Sequence, residues 1–122
     1  MVELLPISDE RRTTLLAALR KGSDRSEACQ AAGIELADLE AWLARGMAEP
    51  PEEPFAAFAE DVEMFEAQVE CEAQVIMHKL ATGGHLEPRE IELLRAPSGE
   101  LDWRGLASWL EARYRRRVAG HI

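Results

Sequence analysis

Apolar residues recur at intervals of three and four along most of this chain, which is the spacing of helices that bury one face. The first such segment predicts a helix from Ser8, its N-cap, to about Lys21. Its inward-facing positions are Leu15, Leu16 and Leu19. The capping-box spacing of Asp24 and Glu27 predicts the start of a second helix, which Gly33 ends.

Residues 25–46 have the spacing of a helix-turn-helix. Two helices that cross steeply need small residues at their closest approach, and Ala28 and Cys29 supply them. Gly33 permits the reversal of the chain before the second helix, which is predicted over about 35–45. The side chains expected to fill the angle between the helices are Ile34, Leu39 and Trp42. An ordinary helical hairpin has the same apolar spacing and stays open as an alternative.

The second helix of this motif would face the major groove of DNA. Its outward positions are Leu36, Ala37, Glu40, Ala41 and Ala44. The same face includes Glu35 and Asp38 and has no basic residue before Arg45. Carboxylates repel phosphates, and among major-groove base edges they accept only from cytosine. The basic residues available to phosphates are Arg11, Arg12, Arg20, Lys21, Arg25 and Arg45. We predict that these six, with Leu36, Ala37 and Glu40, bind DNA, and that one copy binds weakly.

The longest predicted helix runs from Pro54 to about Thr82, after a proline-rich linker at 47–53 that marks a domain boundary. Its apolar stripe is close to a heptad repeat: Phe55, Phe58, Val62, Phe65, Val69, Ala73, Ile76 and Leu80. A second row widens the face: Met64, Gln68, Cys71 and Val75. The outward positions are acidic: Glu60, Asp61, Glu63, Glu66, Glu70 and Glu72. Such a wide apolar face must pack on another helix of its own chain, on neighbouring subunits, or on both.

The glycines at 83–84 end the long helix, and a short helix is predicted over about 88–95. A turn at 96–99 follows, and Asp102 caps a last helix over 103–118, which is expected to lie antiparallel along the long one. The apolar face of the last helix is predicted to be Trp103, Leu106, Leu110, Tyr114 and Val118, with Trp109 beside it. Its end has the concentrated positive patch of the chain: Arg113, Arg115, Arg116 and Arg117.

The composition favours an all-α protein, because Ala, Leu, Glu and Arg dominate and β-branched residues are scarce. A length of 122 residues fits one domain, or a small domain with an appendage. The net charge of −9 argues against a general nucleic-acid coat and against a membrane-surface binder. The charge is uneven, since residues 1–50 contain 6 basic and 9 acidic side chains, residues 51–100 contain 3 and 12, and residues 101–122 contain 5 and 2.

The sequence gives little support for catalysis or for a metal site. Its histidines are His78, His85 and His121. None lies in a recognisable nucleophile motif. Cys71, His78 and His85 recur every seven residues, but the glycines at 83–84 break the helix between the two histidines. We expect no enzyme activity, no cofactor and no metal. We also expect Cys29 and Cys71 to be reduced, buried thiols of a cytoplasmic protein.

Three blocks of the sequence resemble, in the same order, the small subunit of phage terminases, the DNA-packaging recognition component. The first is residues 15–46, where A-C-x-x-A-G-I leads to W-L-x-x-G. The second is PFAAFAED at 54–61, and the third is LDWRGLASWLEARY at 101–114. The first block alone is shared with many regulators, and the set of three is more specific. The segment 83–100 lies outside the blocks.

The resemblance implies a non-enzymatic subunit that recognises viral DNA for packaging. Such subunits have an N-terminal helix-turn-helix, a central helical hairpin that assembles a homo-oligomeric ring, and a C-terminal segment that engages the large, ATP-hydrolysing nuclease subunit. In this chain the three parts would be residues 1–46, 54–110 and 111–122. The partners implied are double-stranded viral DNA, the large subunit and further copies of the chain, in the cytoplasm of the host bacterium and away from membranes.

Two other functions stay open. A phage or bacterial transcriptional regulator would use the same motif as a dimer on a palindromic operator. An assembly adaptor would have lost DNA binding, in keeping with the acidic face, whereas the terminase family usually offers Ser, Arg, Thr, Tyr or Lys there. With this face, useful binding needs several copies on one ring. The arginines at 113–117 have three interpretations: contact with the large subunit, contact with DNA, or pairing between subunits with the acidic long helix.

Overall fold

The computed structural model describes residues 6–94 and 102–118, and within these ranges it contains six α-helices and no strand. The predicted all-α class is therefore confirmed. The helices are α1 (Asp9–Arg20), α2 (Arg25–Ala32), α3 (Leu36–Gly46), α4 (Phe55–Thr82), α5 (Pro88–Leu94) and α6 (Trp103–Val118). None of the helices in these ranges has the length and apolarity needed to cross a membrane.

The chain divides into two compact units, Met1–Glu66 and Ala67–Ile122, and the division falls within α4. The first part of α4 belongs to the first unit because its apolar side chains lie in the same core as α1–α3. The sequence predicts a domain boundary at 47–53. The assignment of separate functions to residues 1–46, 54–110 and 111–122 stays a prediction.

The capping residues predicted for the first two helices are confirmed. The Ser8 side chain accepts a hydrogen bond from the Arg11 backbone N–H at 3.2 Å, and the Asp24 side chain accepts one from the Glu27 N–H at 2.8 Å. These bonds satisfy N–H groups that have no partner inside their own helix.

Gly33 forms the turn between α2 and α3 with a left-handed backbone at φ 71°. Its N–H donates to the Gln30 carbonyl at 3.2 Å, and the Ile34 N–H donates to the Cys29 carbonyl at 3.0 Å. This pair of bonds is a Schellman motif, which a glycine forms without steric cost to the backbone. The predicted role of Gly33 in reversing the chain is thus confirmed.

The core of the first unit joins α1, α2, α3 and the start of α4. Its buried members are Leu15, Leu19, Ala28, Cys29, Ala32, Leu39, Leu43, Phe58, Ala59 and Val62. Leu16, Ile34 and Trp42, which were predicted to face inward, are partly buried against this core. The Trp42 and Phe58 rings meet edge to face with centroids 6.3 Å apart, an arrangement that aromatic pairs prefer.

The second unit has a smaller core, formed by Ala73, Ile76, Leu94 and Leu106. Met77, Leu86, Leu93 and Leu110 are partly buried against it. The Asp102 carboxylate accepts a bond from the Gly105 N–H at 2.9 Å, so its predicted capping of α6 is confirmed. Gly83 has φ 74°, and the Gly84 N–H donates to the Lys79 carbonyl at 2.9 Å, which ends α4 as predicted.

Six large apolar residues of the predicted apolar faces are exposed instead, and two of them, Met64 and Val75, belong to the second row of the long helix. Within α6 the buried positions are Leu106, Trp109 and Arg113, whereas the exposed ones are Trp103, Tyr114 and Val118. The buried face of α6 therefore lies closer to Trp109 and Arg113 than was predicted. The Arg113 side chain is buried there, although only apolar side chains were expected on that face. Leu80 of α4 is also exposed. Cys71 is exposed too, so the prediction of two buried thiols is correct only for Cys29. The predicted turn at 96–99 lies outside the described residues.

Candidate nucleic-acid interface

The outward face of α3 is small and acidic, as its sequence predicts. Ala37, Asp38, Glu40, Ala41 and Ala44 are exposed. Leu36, which was placed on the same face, is half-buried and packs against the core. This correction follows from its place one turn before Leu39, since residues three apart share a side of a helix. The exposed face of α3 thus consists of carboxylates and methyl groups.

Arg12 of α1 pairs with Asp61 of α4. Its Nη2 lies 2.7 Å from Asp61 Oδ2, and its guanidinium carbon is 5.8 Å from the centroid of the Phe58 ring. The side chains of Arg12 and Asp61 are 34% and 40% exposed. This ion pair is therefore in contact with solvent.

Arg25, at the start of α2, makes a bidentate pair with Glu66 of α4. Its Nη2 lies 2.8 Å from Oε1 and its Nε lies 3.1 Å from Oε2. The Arg25 side chain is 10% exposed and that of Glu66 is 1% exposed. The prediction that Glu66 faces outward is wrong, because the two hydrogen bonds to Arg25 offset the cost of removing its charge from water.

Arg45, near the end of α3, pairs with Glu52 and covers an aromatic ring. Its Nη2 lies 2.7 Å from Glu52 Oε2, and its guanidinium carbon is 3.9 Å from the centroid of the Phe55 ring. The Glu52 N–H also donates to the Arg45 carbonyl at 3.2 Å. These contacts hold the guanidinium over the first residue of α4.

The remaining predicted phosphate contacts lie on α1 and just after it. Arg11 and Lys21 are exposed, whereas Arg20 is partly buried in the last turn. Arg12, Arg25 and Arg45 are thus paired with carboxylates of their own chain, and Arg20 has contacts of its own. For Arg25 this pairing is buried, so its side chain holds the fold together and offers DNA little surface.

The arginines at the end of α6 also pair within the chain. Arg113 is 3% exposed and its Nε lies 3.5 Å from Glu70 Oε2 of α4. The Nη2 of Arg117 donates to both oxygens of Glu70, at 2.6 and 2.8 Å. Arg115 pairs with Glu111 one turn earlier, and Arg116 is half-exposed and has contacts of its own. One interpretation of these arginines was pairing between subunits with the acidic long helix. For Arg113 and Arg117 this pairing occurs inside one chain.

Two groups in the first unit have shifted pKa values with structural causes. Burial raises the pKa of the Cys29 thiol, which keeps it protonated in the core. A hydrogen bond with the Asp24 side chain raises the pKa of Glu27. Both shifts accompany helix packing and capping.

The ion-pair partners that sequence reasoning missed are Asp61 and Glu66 in the first unit and Glu70 in the second. All three were assigned to a solvated acidic face. Their partners lie 49, 41 and 47 positions away along the chain, and no periodic pattern reports such a distance. One indication in the sequence that Glu66 is buried was its place directly after Phe65, an apolar position of the predicted stripe.

Comparison of the chain with protein-family models, with curated protein sequences and with solved structures found no match. Among the described residues no group of three or more His, Cys, Asp or Glu side chains is arranged to hold a metal ion.

Proposed function

We propose that this protein is a DNA-packaging recognition subunit of the terminase small-subunit type. The observation that carries the proposal is the order of its parts. A helix pair with a glycine turn at 33 is followed by one 28-residue helix and by a C-terminal helix, whose Arg113 and Arg117 pair with Glu70 of the long helix. The three sequence blocks that resemble the family lie in α1–α3, at the start of α4 and in α6. This correspondence favours the terminase interpretation over a single-domain regulator.

The first unit supports the helix-turn-helix part of the proposal. The Schellman turn at Gly33 separates α2 from α3, and Leu39 and Leu43 bury α3 against a core shared with α1 and α2. In this proposal DNA is held by its backbone through the basic residues of α1, Arg11, Arg12 and Arg20, and by Lys21, because the α3 face has no exposed cation before Arg45.

The second unit supports self-association. Large apolar side chains are exposed on it: Val75, Leu80, Trp103, Tyr114 and Val118. Met77, Leu80, Ala81 and Trp103 line an apolar depression of about 410 Å³. Apolar surface of this kind marks sites of protein contact. We propose that copies of the chain meet here in a ring, and that residues 111–122 contact the large subunit.

An assembly adaptor is the second candidate, favoured by a specific observation. The exposed face of α3 is acidic, and Arg12, Arg25 and Arg45 are each paired with a carboxylate. A module with this face repels phosphates. In that case the first unit would contact a protein and not DNA.

Native mass spectrometry and DNA binding measured together test these proposals. A closed ring that binds double-stranded DNA weakly, with affinity falling steeply as salt rises, is the expected result. A dimer that binds a palindrome tightly would contradict the ring and favour a transcriptional regulator. A ring without DNA binding at about 50 mM salt would contradict DNA recognition and favour the adaptor.

A further inference from the structure

The first unit contains two ion pairs of opposite character between its basic residues and α4. The Arg25–Glu66 pair is buried and bidentate, so its partners cannot separate without leaving a charge out of water. The Arg12–Asp61 pair has one bond of 2.7 Å, and both side chains are more than one third exposed. Only the second pair can exchange its partner while the fold stays intact.

Asp61 occupies the position that a phosphate oxygen would take beside Arg12. A guanidinium donates to a carboxylate and to a phosphate with the same geometry. The Phe58 ring, 5.8 Å from the guanidinium carbon, is fully buried and limits where Arg12 can lie. A phosphate that approaches Arg12 must therefore replace Asp61 or bind beside its negative charge.

We propose that Asp61 competes with DNA phosphate for Arg12 and so keeps the affinity of each copy low. This inference rests on the proposed function, because it concerns the regulation of the same DNA-binding surface. Weak binding by each copy makes binding depend on many copies that engage one DNA together. Asp61 would then help to restrict stable binding to the assembled ring.

The experiment compares Asp61→Asn with Glu60→Gln in the full chain, on a short double-stranded DNA of mixed sequence at about 50 mM salt. Glu60 is the neighbouring exposed carboxylate, and no ion pair joins it to a described residue. Both substitutions remove one negative charge, and only the first releases Arg12. Asp61→Asn should raise the affinity about threefold to fivefold more than Glu60→Gln does.

The double variant Arg12→Gln with Asp61→Asn tests whether Arg12 carries the effect. In the Arg12→Gln background, Asp61→Asn should raise the affinity no more than Glu60→Gln does. Asp61→Glu, which keeps the carboxylate, should bind like the unaltered protein. Native mass spectrometry of each variant checks that the number of subunits is unchanged.

Equal gains from Asp61→Asn and Glu60→Gln would overturn the proposal, since the gain would then reflect net charge alone. A gain that persists without Arg12 would overturn it as well. If neither the unaltered protein nor Asp61→Asn binds DNA at low salt, DNA recognition itself is wrong and the inference fails with it. Binding by Asp61→Asn where the unaltered protein does not bind would support both.

Discussion

Gly46 lies where the end of α3 meets the start of α4, and its role is steric. A Cβ atom at this position would lie 2.3 Å from the Phe55 carbonyl oxygen and 2.9 Å from the Ala59 Cβ. Backbone atoms cannot move aside as a flexible side chain can. From the sequence, this glycine follows the second motif helix, which was predicted over about 35–45, whereas the structure shows that Gly46 permits close packing of α3 on α4.

Gly46→Ala should therefore destabilise the protein by about 1 to 2 kcal/mol, because overpacking outweighs the gain in helix propensity. The midpoint of urea unfolding measures the change. Gly84→Ala is the comparison variant and should cost less, since the nearest atom to its Cβ would be the Lys79 Cγ at 3.2 Å and its φ is not left-handed. A more stable Gly46→Ala variant would show that the close approach is not rigid.

Removing the charge of one partner in the buried Arg25–Glu66 pair should also destabilise the protein. Glu66→Gln removes the charge that compensates Arg25, whose side chain is 10% exposed. We expect a loss of about 3 to 5 kcal/mol in the free energy of unfolding. Asp61→Asn breaks a half-exposed pair on the same helix and should cost about 1 kcal/mol or less. Chemical denaturation of both variants gives the comparison, and similar losses would contradict the distinction between the two pairs.

At the scale of elements, an ion pair joins α4 to α5. Lys79 Nζ lies 2.6 Å from Glu90 Oε1, which also accepts a bond from the Glu87 N–H at 2.7 Å. The hydrogen bond from Lys79, together with that from Glu87, lowers the pKa of Glu90 below its ordinary value of 4.5. Both bonds favour the ionised form of the carboxyl group.

A lowered pKa in the folded state gives stability that is present above the unfolded pKa and is lost as the pH falls through the folded one. Glu90→Gln should therefore be less stable than the unaltered protein at pH 7, and the difference should shrink as the pH falls below about 4.5. Urea unfolding across this range measures it. Glu87→Gln removes an exposed carboxylate from the same turn and is the matched control for the loss of one negative charge. A difference for Glu90→Gln that is constant with pH would contradict the assignment.

The helix ends were predictable because their determinants are local. Ser8, Asp24, Gly33 and Asp102 act on backbone groups within six residues, so a single sequence contains the whole interaction. The buried face of α6 was not predictable in this way. Arg113 is buried beside Glu70, which lies 43 positions earlier in the chain. A pattern of apolar residues cannot identify an arginine that is buried together with its ion-pair partner.

At the scale of the molecule, the chain uses much of its positive charge internally. The arginines at 12, 25, 45, 113 and 117 all contact carboxylates of the same chain. At a net charge of −9, the pairing of these five arginines further reduces the positive charge that the chain offers to DNA. Any binding to DNA should therefore be weak for one copy and should depend on assembly.

Assembly itself is expected to depend on the exposed apolar surface of the second unit. Leu80 and Trp103 are 43% and 51% exposed, and both line the depression described above. A large apolar side chain contributes about 1.5 to 3 kcal/mol when it is fully buried. Burying the exposed halves of both would thus contribute about half of that for each.

Leu80→Ser combined with Trp103→Ser should therefore raise the concentration at which the oligomer dissociates about tenfold or more. Native mass spectrometry over a dilution series measures this concentration, and circular dichroism checks that the helices persist. Ala37→Ser with Ala41→Ser, on the exposed face of α3, is the matched control and should leave assembly unchanged. An oligomer that withstands dilution equally in both double variants would place the subunit contact elsewhere on the chain.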